Sequence, residues 1–160
     1  MNNLNFFESV FTSELNATAA LIKACPADKL DYKPHQVNRS ACEIIEHLLG
    51  HVVDLKVILL NEVCDETLVF KFSSPDEAAE KLTTLWNEVI EILKNYNPEK
   101  WEKVNVSLLV NGKDFATMPR TNLMWFFLMD MIHHRGQLSS YVRPMGGKNP
   151  AVYGYSADTI

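Results

Sequence analysis

Asp130 and His134 stand four residues apart, so a helix through them presents a carboxylate and an imidazole from nearly the same side. Their neighbours on that side, Phe127, Met131, Leu138 and Tyr141, are core-like, and polar groups set in an apolar stripe are costly to bury unless something satisfies them. His47 lies in the same setting between Ile44 and Leu48, with His51 one turn further on. Side chains from facing helices of a bundle converge, so His47, Asp130 and His134 would make a three-donor metal site with an open position for water or substrate. A divalent ion suits two nitrogens and one oxygen: zinc or nickel foremost, iron or manganese as well. Spacing alone leaves two plainer readings open, a hydrogen-bonded core histidine at His47 and an internal Asp130–His134 ion pair. It assigns no catalytic residue.

Other chemistries lack their patterns. The chain has no GxGxxG, GxxxxGK[ST], GxSxG or HExxH string. Cys25, Cys42 and Cys64 are an odd, widely spaced set with no CxxC and no adjacent histidine, which suits a reducing, cytoplasmic setting better than disulfides or an activated thiolate. No apolar run reaches the roughly 18 residues of a membrane span, and no signal peptide is visible at the start, so no membrane association is expected. The 160 residues carry 15 Lys+Arg against 20 Asp+Glu, a net charge of −5 that argues against nucleic-acid binding. The charge is uneven: Asn111 to Pro150 carries +3 and the remainder −8. Asp130, His134, Arg135 and Arg143 all fall in the basic segment, which leans towards an anionic small-molecule substrate.

These residues need helices to position them, and helical periodicity dominates. Leu4, Phe7, Phe11, Leu15, Thr18 and Ile22 mark a first helix that Cys25-Pro26 ends. A polar connection, Ala27 to Asn38, leads to Ser40 and Glu43, a capping box opening a second helix that runs to about Asn61. Cys64 to Ser73 reads as irregular. Ser74-Pro75-Asp76-Glu77 starts a third helix that Asn97-Pro98 closes. Val104, Val106, Leu108 and Val110 alternate, and Asn111-Gly112 signals a type I′ hairpin turn. A last helix runs from Thr121 to about Val142. The expected fold is all-α: one domain over residues 1–160, a four-helix bundle with a long connection and a short β-hairpin before the last helix.

The string Asp130-Met131-Ile132-His133-His134-Arg135-Gly136-Gln137 resembles the HxxHHRGQ signature of the DinB-like helical bundle proteins, the damage-inducible family related to bacillithiol transferases. The resemblance continues through Tyr141 to Gly146, Pro150 to Gly154 and Ser156-Ala157-Asp158, and upstream through Leu30 to Pro34, Arg39-Ser40 and His47. It implies a metal bound between helices by three side chains, here His47, Asp130 and His134, with Asp130 in the place of the signature's first histidine. A carboxylate there would shift preference towards harder ions. His51, His133 and Arg135 become candidates for the residues surrounding the ligands, and Arg135 or Arg143 for binding an anionic group. The resemblance further implies a low-molecular-weight thiol as co-reactant, a thiol S-transferase or hydrolase acting on a small electrophile, and a homodimer. The alternative is a non-catalytic stress-response or metal-binding module whose metal site is structural or vestigial.

Overall fold

A computed structural model describes residues 2–159. Helix α1 spans Asn3–Lys23, α2 Ala41–Leu60, α3 Pro75–Lys94 and α5 Arg120–Val142, and these four long helices pack as the bundle the periodicity predicts. Helices α1 and α2 each pack on both α3 and α5. The core between them is aromatic at one end, where Phe11 stacks on Trp86 at 4.3 Å and the Trp86 indole donates to the Phe11 carbonyl at 3.0 Å. None of the described helices is long and apolar enough to cross a membrane.

The start signals act as read. The Ser40 hydroxyl accepts from the Glu43 amide at 3.1 Å while the Glu43 carboxylate accepts from the Ser40 amide at 2.6 Å, closing the capping box. Ser74 caps α3 with Pro75 in its first turn. Asn111 and Gly112 take φ of 53° and 70°, the pair of left-handed residues that a type I′ turn requires.

Two parts differ from the expected elements. Pro98 does not only close α3: it opens a short helix, α4 (Pro98–Lys103), capped by Asn97 and carrying the fully buried Trp101. The excursion is a three-stranded sheet and not a lone hairpin. β1 (Val63–Asp65), in the segment expected to be irregular, pairs parallel to β2 (Asn105–Val110), which pairs antiparallel to β3 (Lys113–Pro119). Arg120 ties this insertion to the bundle. Its buried guanidinium donates to the carbonyls of Ile58, Asn61 and Lys100 at 2.8, 3.0 and 3.2 Å, placing a cation where α2 ends.

The segment after β1 lies against α2 at Gly50. A Cβ at Gly50 would overlap the Thr67 carbonyl oxygen. One turn on, the Asp54 carboxylate accepts from the Thr67 amide at 2.9 Å. Gly50→Ala should therefore destabilise the protein despite alanine's advantage of about 1 kcal/mol in a helix interior. The overlap is with backbone, and overpacking of that kind costs about 1–3 kcal/mol. Urea denaturation checks the sign: a more stable variant would mean that the segment yields freely.

Candidate metal centre

Helices α2 and α5 face each other and each contributes a pair of polar side chains one turn apart, His47 with His51 and Asp130 with His134. Their heads converge on one atom. Asp130 Oδ2 lies 2.8 Å from His51 Nε2, 3.2 Å from His134 Nε2 and 3.5 Å from His47 Nε2. His47 and His51 are buried, and the Asp130 side chain is 32% exposed, so the cluster sits at the bundle surface with one open side. Glu66, held over α2 by the Gly50 and Thr67 contacts, brings Oε1 to 3.9 Å from His47 Nδ1. Among the described residues two groups have donor atoms close enough to hold a single ion, His47 with Asp130 and His134, and His47 with His51 and Glu66.

The tautomer of His134 follows from its other nitrogen. Nδ1 lies 2.8 Å from Gln137 Oε1, an acceptor, so Nδ1 carries a proton, and Nε2 is the nitrogen turned towards Asp130. Gln137, the last residue of the signature string, thus orients the His134 ring.

The electrostatics follow the same geometry. Burial pushes the Asp130 carboxyl up, but hydrogen bonds with His134, His47 and His51 outweigh it and hold it well below the usual carboxylate range. Burial lowers the His47 imidazole, with Asp130 countering only in part. Burial also pushes His51 down, yet its contacts with Asp130 and Asp54 prevail and leave it above its ordinary value. Burial raises Glu66. A carboxylate that stays ionised beside a neutral imidazole is the donor chemistry a divalent ion takes.

Other residues singled out in the sequence lie elsewhere. His133 is exposed, its ring edge-on to His134 at 5.1 Å and outside the convergent group. Arg135 turns away towards α1, where it pairs with Glu14 and donates to Tyr153 and, at 3.2 Å, to Thr18. Arg143 pairs with Asp158 at 2.9 Å. The basic segment therefore places neither Arg135 nor Arg143 at the site, because their charges are consumed within the bundle and by the tail. The nearby cation comes from the acidic remainder: Arg39 Nη1 lies 3.5 Å from His134 Nε2.

Two cavities flank the cluster. One of about 120 Å³ is bounded by His51, Glu66 and Asp130 together with Leu108, Val110, Phe115, Phe126 and Phe127, so it is apolar away from the centre. The other, about 280 Å³, is of mixed character, with Arg39, Glu43, Glu46 and His47 beside Leu68 and Val69. A larger groove of about 460 Å³ along α3 contains no histidine and lies apart from the cluster. Burial pushes the Cys25 and Cys64 thiols up to about 12 and also raises Cys42, which disfavours the thiolate at all three.

Glu66 escaped the sequence reading because its segment has no periodicity. Only Gly50 and Asp54 on α2 hint that a backbone rests there.

The family model for the DinB family matches residues 1–159. A DinB-like protein from Bacillus subtilis has a similar crystal structure, with a TM-score of 0.68 and 22% identity over 94% of this chain and 99% of that one. A structure described as a DinB family member from Exiguobacterium sibiricum gives a TM-score of 0.64 and 16% identity over 100% of this chain and 99% of its own. No curated protein matches the sequence. The match over nearly all residues, with the bundle and the convergent histidines on facing helices, establishes that the chain belongs to the DinB family.

Proposed function

We propose that this chain is a metal-dependent enzyme that directs a small thiol, or water, onto a small electrophile, as a thiol S-transferase or hydrolase. The observation that carries the reading is the convergence of His47, Asp130 and His134 beside an apolar cavity with one open side. A divalent ion held there would lower the pKa of a thiol or water bound to it, supplying the nucleophile at neutral pH. The residues around it perform the remaining tasks. Glu66, raised by burial and bordering the same cavity as Asp130, receives the nucleophile's proton at its carboxylate. Leu108, Phe126 and Phe127 exclude water and hold the apolar part of the electrophile. Arg39, and not Arg135 or Arg143, offers a charge-assisted donor for an anionic group. In the transfer reaction the sulfur–carbon bond forms as the bond to the leaving group breaks, and the departing pair takes the proton from Glu66.

The test is metal content and thiol conjugation on purified full-length protein. About one equivalent of metal and conjugation of a small thiol to an alkyl electrophile are expected, both lost in His134→Ala. Tight metal without any turnover would leave a structural site. An His134→Ala protein with unchanged metal content, activity and melting temperature would overturn the metal centre itself.

A further inference from the structure

Behind the cluster lies a carboxylate that the site has not yet used. Asp54 is fully buried; its Oδ1 accepts from the Thr67 amide at 2.9 Å, and its Oδ2 has no hydrogen-bond partner among the described residues. His51 is 4% exposed, and its Nδ1, likewise unpartnered, lies 3.5 Å from that oxygen. A bare carboxylate oxygen in a dry interior is expensive, and a proton on Nδ1 aimed at Oδ2 is the compensation within reach.

The far side of the ring meets a second carboxylate. His51 Nε2 is 2.8 Å from Asp130 Oδ2, the shortest of the three contacts that imidazoles make with that oxygen. A ring set between two carboxylates donates from both nitrogens, so it has no unshared pair for an ion. The donors close enough to share one ion with Asp130 are those of His47 and His134, and His51 is not among them. His51 therefore serves a ligand without being one, and the position for thiol or water stays open. Hydrogen bonds to a ligating carboxylate are what orient it.

The Asp54 carboxylate also acts in a second direction. Thr67, whose amide it holds, follows Glu66 directly in the chain, and the Glu66 amide donates to the Leu109 carbonyl at 2.9 Å. Glu66 is thus pinned from both sides, by β2 and by α2.

We propose that Asp54 is a positioning residue of the centre: through His51 it sets Asp130 against the ion, and through the Thr67 amide it fixes the segment that brings Glu66 to the same cavity. The proposal rests on the reading of His47, Asp130 and His134 as the metal ligands.

Cobalt(II) titration of the full chain tests it, in the parent, His51→Phe, Asp54→Ala and the double variant. His51→Phe keeps an aromatic ring and removes both donors, while Asp54→Ala removes the anchor. Each should weaken cobalt binding about 10–100-fold. The double variant should match the weaker single one within about twofold, because both changes break one chain of contacts. Asp54→Asn should restore most of what Asp54→Ala loses: its oxygen accepts from Thr67, its amide donates to Nδ1, and Nε2 keeps the proton for Asp130. The Thr67 amide should lose its protection from hydrogen exchange in Asp54→Ala and keep it in His51→Phe. A role in the fold alone would leave cobalt affinity unmoved or let the two losses multiply, and either result overturns the proposal while the ligand set stands. Should Asp54→Ala not fold, nitrogen spectra of the metal-free parent decide: a proton on His51 Nδ1 upholds the link to Asp54, and a bare Nδ1 overturns it. A parent that binds no cobalt overturns the ligand set and the proposal together.

Discussion

Arg135→Ala should lower stability by about 3–5 kcal/mol, the cost of leaving a buried charge without its partner. Arg135 is 3% exposed, and its guanidinium is the cation beside Glu14, itself buried on α1. Thr18 and the Tyr153 hydroxyl complete the set, with the Arg135 guanidinium 4.8 Å from the Tyr153 ring. Removing the arginine strips Glu14 of its counter-charge in the α1–α5 contact and leaves Tyr153 held there only by its own hydrogen bond to Glu14 at 2.9 Å. For a chain of this size the melting temperature should fall by roughly 10 °C. The pair differs in this from the exposed ion pairs of the surface, such as Lys103–Glu99 at 3.9 Å, which contribute little. A double variant, Glu14→Leu with Arg135→Met, should recover much of the loss, since a well-packed apolar pair avoids the desolvation that both charges incur. Urea denaturation of the four forms measures the coupling. Metal affinity should be the same in all four, because Arg135 points to α1 and not to Asp130. A loss under 1 kcal/mol for Arg135→Ala would mean that water reaches Glu14.

Arg135 shows where sequence reasoning reaches and where it stops. Its place beside His134 in the signature string suggests a shared task, but adjacent helix positions lie about 100° apart, and one step along α5 exchanges the α2 face for the α1 face. The complementary signal was Glu14, a lone acid three residues after Phe11 on the apolar stripe of α1. A charge on such a stripe calls for a partner, yet only the packing of α1 on α5 says which one. His47, Asp130 and His134 were legible because i, i+4 spacing and helix pairing bring them together with little help from loops. Caps and turns at Ser40, Ser74 and Asn111-Gly112 were legible because their chemistry is local. β1 was not: its three residues gain their structure from a parallel pairing with Ser107–Leu109, more than forty residues away. Glu66 was not either, because its position depends on a backbone contact with Gly50 and a side-chain contact with Asp54. The same holds for Arg39, which reaches His134 from a connection without periodicity.

Asp130→Ala removes the oxygen on which three imidazole nitrogens converge, and its effects should be large with and without metal. In the loaded protein, affinity should fall by more than about a hundredfold, beyond the 10–100-fold typical of losing an orienting partner. Asp130→His restores the histidine of the family signature, so it should keep metal binding and shift preference from manganese towards zinc or nickel. Competition between these ions, read as retained metal after dialysis, distinguishes a ligand from a mere hydrogen-bond acceptor. In the metal-free protein the effect should depend on pH with a definite sign. Asp130 sits below its ordinary value of 3.8, so its contribution is complete above that pH and fades as the pH falls through the lower folded value. His51 sits above its ordinary 6.5, so its contribution is complete below that pH and fades as the pH rises through the higher folded value. Their contact needs both charges. The stability gap between parent and Asp130→Ala should therefore be widest from pH 3.8 to 6.5 and narrow on either side. A gap that stays flat from acid to pH 8 would show that the Asp130–His51 contact carries no charge. A gap that widens above pH 7 would mean that Asp130 is stabilised by something other than the imidazoles around it.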